Sequence, residues 1–490
     1  MFKKILVANR SEIALRVIRT AKELGLKTVA VYSEADQDSA HVLAADEAVC
    51  IGPAESKDSY LSIEKLMMAI EKTGADAVHP GYGFLSERAA FAKALEDKGI
   101  CFIGPRSELI DLMGDKVKAR KKMQEFGVPV VPGTDALEDL DEAEEIILKK
   151  VKTQKDFKFP LLIKSSGGGG GKGMRKVHEA AELRPALERA QSESLQAFGT
   201  PLVFVERYIE NPRHIEIQVL GDGKNALHFF ERECSLQRRH QKVVEEALSP
   251  SLSEATREKM SDIAAKATKQ LGYNSVGTLE FIVSPEEDFY FLEMNTRIQV
   301  EHPVTEWITG SDLIREQILV AQGHSIALKQ DDILRRGHAI EVRLYAEDAE
   351  NNFMPRPGKI HFLRFPEWTG VRVDSTMASG SLVSSHYDPM IAKISCWAPD
   401  REQCRQRLIH FLRETKIEGL VTNRSFLIQI LQSDFFQSGR YHTGILEKQD
   451  WRPRSKDRSE IFASLCLQDY LRRGAKLYSE PLSTWQEESI

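Results

Sequence analysis

Apolar residues fill Ile5, Leu6, Val7 and Ala8, and the polar pair Asn9-Arg10 ends the run. From Ser11 to Leu24 the spacing changes: Ile13, Val17, Ile18 and Ala21 recur at helical intervals until Gly25. Lys27–Tyr32 is again strand-like, so the chain opens as strand, helix, strand, which implies a parallel sheet covered by helices. The pattern repeats with a helix over Ile63–Ile70, a strand over Ala75–Val78, a helix over Ala89–Leu95 and a strand over Ile100–Ile103. A first α/β domain of about 110 residues therefore closes near Gly104-Pro105. Ala8-Asn9-Arg10 follows the first strand where a dinucleotide-binding turn would carry G-x-G-x-x-G, so no dinucleotide site is expected.

From Gly114 to about Gln330 strands alternate with turns. After Arg335-Arg336-Gly337 the predicted strands are Ala339–Tyr345, Lys359–Phe365, Gly370–Asp374 and Ile391–Trp397, followed by a helix over Arg401–Leu412. The charged C-terminal stretch holds one amphipathic candidate helix, Ser459–Arg472. At 490 residues, about three domains are expected. Hydrophobic residues at 42% and charged residues at 29% fit a globular chain rather than a disordered one. The apolar stretch at the N-terminus is too short for a signal peptide, and no run reaches the roughly 18 apolar residues of a membrane span. A net charge of -6 argues against nucleic-acid or anionic-membrane binding. Six cysteines without a C-x-x-C indicate neither a disulfide framework nor a zinc cluster, which suits a cytoplasmic or similarly reducing compartment.

Three stretches carry chemistry. Leu161-Leu162-Ile163-Lys164 is a strand ending in lysine, and it runs into Gly167 to Gly171 and Lys172. Glycines let backbone N–H groups turn toward an anion, and lysine adds a point charge for phosphate. It is not a P-loop, because Ser166 stands where the first glycine belongs and no Ser or Thr follows Lys172. A linker is the alternative, but linkers are usually serine-rich, so a mobile phosphate-covering loop is favoured.

The second stretch is Thr278–Val283 and Phe289–Asn295 around Pro285-Glu286-Glu287-Asp288, a hairpin signal. A hairpin closing symmetrically on Glu286 and Glu287 puts Glu280 directly opposite Glu293. Facing like charges destabilise a ladder, and a divalent cation between them reverses the sign. Asn295, on the face of Glu293, can add an oxygen, and such oxygens suit Mg²⁺ completed by nucleotide phosphates. Third, Arg297, Gln299 and Glu301 alternate, so in an extended segment they point one way. A cation, an amide and a carboxylate converging there suit a small anion that must lose a proton. Arg343 alternates with Glu341 on a predicted strand, where a structural ion pair is the default; Gln237-Arg238-Arg239-His240-Gln241-Lys242 reads by itself as a solvated basic loop.

Together these stretches resemble the biotin carboxylase component of biotin-dependent carboxylases, an ATP-grasp ligase, over about residues 2–446. The resemblance rests on His79–Glu87, Met113–Lys116, the Lys164–Met174 loop, Glu206–Gln218, Glu231–Glu246 and Glu293–Glu306. It implies an α/β fold in three parts: an N-terminal parallel-sheet, Rossmann-like domain over 1–114, an ATP-grasp domain over 115–332 with a glycine-rich lid at about 133–204, and a C-terminal mixed α+β domain over 333–447. Residues 448–490 form an extension whose role stays open.

Carried over by position, the resemblance implies that Lys116 and Lys164 contact ATP phosphates while Gly168, Gly169, Gly170 and Gly171 close over them. Glu206 and Ile209 line the adenine pocket, with His214, Gln237 and His240 near the nucleotide. Glu280, Glu293 and Asn295 hold Mg²⁺ or Mn²⁺. Lys242, Arg297, Gln299 and Val300 bind bicarbonate, Glu301 is the general base, and Arg343 stabilises the biotin enolate. Tyr82 and His386-Tyr387-Asp388-Pro389-Met390 lie near the biotin ring. Two departures, Arg207 and Arg88, fall outside this chemistry. No methionine of this chain precedes a lysine, so the Met-Lys biotinylation motif is missing. Biotin is then expected on a separate biotin carboxyl carrier protein, with a carboxyltransferase subunit completing an acetyl-CoA or other acyl-CoA carboxylase, and a homodimer is expected. The alternatives are a pyruvate carboxylase A subunit, another acid–amine ligase of the ATP-grasp group, or a non-catalytic ATP-binding subunit, which would be expected to lose Glu301, Lys242 or Arg343.

Overall fold

Strand β1 (Lys4–Val7) is apolar on both faces because helices cover both sides of a parallel sheet. Helix α1 (Ser11–Glu23) lays Ile13, Ala14, Val17, Ile18 and Ala21 against it, all buried. Each fully buried aliphatic side chain contributes roughly 1.5–3 kcal/mol, so a charge at Val17 would break this packing. Strands β2 (Lys27–Tyr32), β3 (Glu47–Cys50), β4 (Ala77–His79) and β5 (Cys101–Phe102) complete a parallel sheet in the order β3-β2-β1-β4-β5.

This computed structural model describes residues 1–165, 174–239, 241–449 and 451, and the described chain up to Gln449 packs as one compact unit. The candidate helix Ser459–Arg472, the glycines 167–171 and His240 lie outside the described residues.

A small antiparallel sheet follows, with β6 (Leu161–Ser165) between β7 (Met174–Val177) and β8 (Val203–Arg207). The next six strands are β9 (Arg213–Gly221), β10 (Ala226–Arg238), β11 (Gln241–Ala247), β12 (Val276–Val283), β13 (Phe289–Asn295) and β14 (His338–Tyr345). They join Met390–Ala398 and Val371–Asp374 in one eight-stranded antiparallel sheet. Its order is β13-β12-β9-β10-β11-β14, then Met390–Ala398 and Val371–Asp374. The sheet therefore runs unbroken from the middle of the chain into its C-terminal part, and β11 against β14 is the seam.

Three local expectations need correction. The hairpin of β12 and β13 does not close symmetrically on Glu286 and Glu287. Ser284 N–H donates to Asp288 O at 2.8 Å, and Val283, Ile282 and Phe281 pair with Phe289, Tyr290 and Phe291. That register alone would miss the Glu280–Glu293 pairing by one residue. A bulge between Phe281 and Glu280 leaves Leu292 as the extra residue and restores Glu280 opposite Glu293. The pairing is as expected; the route to it is not. The second correction concerns 296–301, which is irregular rather than extended. His302 begins the helix His302–Thr309 with Pro303 in its first turn, so the chain must turn before it. The predicted strand Lys359–Phe365 is likewise two short strands, Gly358–Lys359 and Phe362–Arg364.

Candidate active site

A cavity of about 830 Å³ opens where the N-terminal sheet, the small sheet and the large sheet face one another. Lys242 stands at its floor. It enters from β11, just after the tight connection to β10, and its Nζ lies 2.6 Å from Glu216 Oε2, 2.7 Å from Glu301 Oε1 and 3.0 Å from Glu280 Oε1. The sheet makes this convergence: Glu216 on β9 is directly opposite Glu280 on β12 and opposite Arg232 on β10. Arg232, fully buried, donates to Glu216 Oε1 at 2.5 Å, to Gln218 at 2.7 Å and to Thr305 at 2.9 Å.

Three carboxylates around one ammonium do not share one protonation behaviour. Burial alone would raise Glu301, but Lys242, then Arg343 and Arg232, hold it well below the usual carboxylate range. Glu280 is likewise held well below by Lys242 and His214 against the effect of burial. Glu216 goes the other way: burial outweighs Arg232 and Lys242, and the neighbouring Glu301 and Glu280 charges push it further up. The same carboxylates hold the Lys242 ammonium well above its ordinary value against burial.

Glu301 is clamped from its other side by Arg343. That residue's NH2 group lies 3.0 Å from Glu301 Oε2, and its Nε donates to Glu245 Oε1 at 2.6 Å. Arg343 is thus more than a structural ion pair with its strand neighbour: Glu341 lies on the same strand, but neither of its carboxylate oxygens has a hydrogen-bond partner. Arg297 donates to Glu87 at 2.9 Å, to Gln299 Oε1 at 2.8 Å and to Asn295 Oδ1 at 3.2 Å. Gln299 and Asn295 in turn donate to Glu280 Oε1 at 3.1 and 2.8 Å. Although 296–301 is not extended, the turn still gathers Arg297 and Gln299, while Glu301 swings to Lys242 and Arg343 instead of joining them.

At the other end of the cavity Lys116 Nζ is 3.1 Å from Glu293 and Lys164 Nζ is 2.5 Å from Glu206. His214 meets Gln237 at 2.7 Å and Glu280 Oε2 at 2.8 Å. Tyr82, Val300, His386, Tyr387, Asp388 and Met390 also line the cavity. Arg10 lies 4.0 Å over the Tyr387 ring, whose hydroxyl reaches Ser33 and Ala54 O at 2.6 Å each. Ile209 is buried but is not among the cavity's lining residues.

The donor set fits a hard divalent cation in part. Glu293 is paired only through Lys116 among the described contacts and is about a third exposed, so its oxygens are available. Glu280 is more heavily engaged, and Asn295 turns its amide N toward Glu280 and its oxygen to Arg297. Oxygen ligands from both hairpin strands are of the right chemistry for Mg²⁺.

Sequence reasoning missed Glu216, Arg232, Glu245 and Glu87. Glu216 carried a faint signal, since His214, Glu216 and Gln218 alternate within an otherwise apolar strand, as polar residues aimed at a site do. Glu87 carried none, because its partner lies 210 positions away.

Residues 1–110 match the family "Biotin carboxylase, N-terminal domain", 115–329 match "Carbamoyl-phosphate synthase L chain, ATP binding domain", and 341–448 match "Biotin carboxylase C-terminal domain". The biotin carboxylase of Haemophilus influenzae is 50% identical over 449 residues, 91% of this chain and 99% of that one. The pyruvate carboxylase A subunit of Methanothermobacter thermautotrophicus is 48% identical, covering 91% of this chain and 90% of its own. The biotin carboxylase–β,γ-ATP complex from Campylobacter jejuni superposes with a TM-score of 0.86 at 44% identity, covering 92% of this chain and 99% of that one. The biotin carboxylase domain dimer of Hydrogenobacter thermophilus 2-oxoglutarate carboxylase, solved with MgADP, ADP and bicarbonate, gives 0.84 at 44% identity, covering 91% and 98%.

Proposed function

The chain belongs to the biotin carboxylase family of ATP-dependent ligases, and from that premise we propose that it carboxylates biotin presented on a separate carrier protein, through carboxyphosphate, as the first half-reaction of an acyl-CoA carboxylase. The observation that carries this reading is Glu301, a fully buried carboxylate held between Lys242 and Arg343, which themselves line a cavity whose other end holds Lys116 and Lys164.

Bicarbonate binds against Lys242, Arg297, Gln299 and the Val300 backbone. Glu301 takes its proton, and the resulting oxygen nucleophile attacks the γ-phosphoryl group of ATP, with ADP as leaving group. Lys116 and Lys164 neutralise phosphate charge. Mg²⁺, held by Glu280 and Glu293 with Asn295 near, supplies charge neutralisation to the phosphates when bound. Positioning and electrostatics supply most of the rate in such transfers, which accounts for the number of cations gathered here. Carboxyphosphate then yields CO₂ and phosphate. The phosphate deprotonates the biotin nitrogen, and Arg343 offsets the enolate charge. Because Glu301 is held so far below the ordinary carboxylate range, its charge is present throughout the neutral region and base strength comes from placement.

The missing Met-Lys motif supports a separate carrier. The segment Tyr387-Asp388-Pro389-Met390 inclines the reading to an acyl-CoA as final acceptor, and a homodimer is proposed by analogy with the Hydrogenobacter domain. The test is ATP hydrolysis by the purified chain with bicarbonate and Mg²⁺, with and without free biotin. Stimulation by biotin is expected. ATP hydrolysis indifferent to both biotin and bicarbonate would overturn the reading. Pairing the chain with its carrier and offering acetyl-CoA against pyruvate then decides the acceptor.

A further inference from the structure

Behind the catalytic floor lies a lysine that the chemistry above does not use. Lys393, on the strand Met390–Ala398, has 0% exposure. It is directly opposite Arg343 on one side and Asp374 on the other, so its side chain shares the face that looks into the site. Its Nζ donates to the Val300 carbonyl oxygen at 2.6 Å and lies 5.9 Å from the Tyr82 ring centre. A buried ammonium is destabilising unless paired, and what surrounds this one is unusual. Glu12 Oε2 is 3.7 Å away, beyond hydrogen-bond reach, and both Glu12 oxygens are buried without a hydrogen-bond partner. Both oxygens of Glu341 are also without one. Lys393 therefore makes its short contact to a peptide carbonyl while two buried carboxyl groups beside it go without.

The backbone shows a second sign of a site built under constraint. Ser11, immediately before Glu12, has φ +59, a left-handed conformation that costs a non-glycine residue of order 1 kcal/mol or more. Ser11 and Glu12 both line the cavity. Strain of this kind persists only where the surroundings over-determine it.

We propose that Lys393 is a positioning residue for the reaction: by clamping the Val300 carbonyl it fixes the peptide that leads into Glu301, and so holds the Glu301 carboxylate between Lys242 and Arg343. Val300 C=O and Glu301 N–H belong to one planar unit, so anchoring the oxygen removes a rotation just before the base. Glu301 sits at the N-terminal end of the helix His302–Thr309 without a side-chain cap of its own, so the clamp supplies order there that capping does not. A misplacement of about 1 Å in such a base costs on the order of 10²-fold in rate. The inference rests on the proposed role of Glu301.

The test compares Lys393→Met with the double variant Glu12→Gln/Lys393→Met, each against the wild-type chain in bicarbonate- and biotin-dependent ATP hydrolysis. Lys393→Met is expected to lower kcat at least tenfold while leaving the KM for ATP within about twofold, and to lower Tm. Removing the Glu12 carboxylate as well is expected to recover much of the Tm and none of the kcat. If kcat recovers with Tm, or if Lys393→Met keeps wild-type kcat while folded, Lys393 is a structural counter-charge only and the proposal fails. Should the single variant not fold, the double variant carries the same decision. A wild-type chain without biotin-dependent turnover would instead count against the functional reading, so the two failures are distinguishable.

Discussion

Glu245 and Glu246 are consecutive on β11, both are buried, and their carboxyls are driven apart: Glu245 is pushed up to about 7 and Glu246 is pulled down to about 2. Burial raises both. On the outer face of the sheet Glu246 meets Arg401 at 2.7 and 2.9 Å, His338 at 2.6 Å and the Tyr441 hydroxyl. On the inner face Glu245 must share Arg343 with Glu301, and the Glu301 charge works against it. The same face carries Glu341, directly opposite Glu245 and pushed well up by burial. The outer face is a saturated ion pair that ties β11 to the C-terminal helix Arg401–Glu414. The inner face is short of donors, because Arg343 is divided between Glu245 and Glu301. For these two neighbours donor supply, not burial, decides which carboxylate stays charged.

The largest effect expected from this contrast is catalytic. Glu301→Gln keeps the shape of the inner face but removes the proposed base, and should lower bicarbonate-dependent turnover by about 10²–10⁴-fold while ATP binding persists. Turnover within tenfold of wild type would remove Glu301 from the role of base. The outer face should answer in stability instead. Glu246→Gln leaves the partly buried Arg401 guanidinium a neutral acceptor in place of a carboxylate and is expected to cost about 1.5–3 kcal/mol in urea unfolding, with the KM for bicarbonate unchanged. A cost below about 1 kcal/mol would show that the outer pairing is not what holds the seam. A smaller effect is expected at Glu293, whose part-exposed carboxylate belongs to neither regime. Glu293→Gln should raise the Mg²⁺ concentration needed for half-maximal turnover by on the order of tenfold, and an unaltered titration would dissociate the hairpin from the metal.

These contrasts also explain what could be read in the amino-acid order. The parallel sheet and α1 were legible because each burial pattern is complete within a short window: Ile5 to Ala8 for the strand, and Ile13, Val17, Ile18 and Ala21 for the helix. The Glu280–Glu293 pairing was legible in outcome, yet the bulge at Leu292 was not, since nothing in the order of residues announces which ladder position will be skipped. The expectation of an extended 297–301 failed because alternation is a two-residue period that a turn into a helix overrides once Pro303 opens that helix. Glu245 and Arg232 were illegible for a different reason. A charged residue in a strand looks the same whether it faces solvent or a neighbour three strands away, and only the register assembles Lys242 with Glu216, Glu280 and Glu301. The opposite fates of Glu245 and Glu246 could not be seen in a Glu-Glu pair at all.

The smallest expected effect is also the sharpest test of that last point, because the two neighbours should give pH slopes of opposite sign. Glu246 has a folded pKa near 2, below its ordinary value of 4.5. Its stabilisation is present above pH 4.5 and is lost as pH falls toward 2, so the cost of Glu246→Gln relative to wild type should shrink in that window. Glu245 has a folded pKa near 7, above 4.5. Its carboxyl favours the folded state below pH 4.5, and that advantage is lost as pH rises toward 7. Glu245→Gln keeps an acceptor for Arg343 and cannot ionise, so its stability relative to wild type should improve between pH 4.5 and 7 and level off above. Tm differences measured for both variants from pH 3.5 to 8 decide the matter. Slopes of the same sign would mean that Arg343 supplies Glu245 as fully as Arg401 supplies Glu246, and that the inner face is not short of donors.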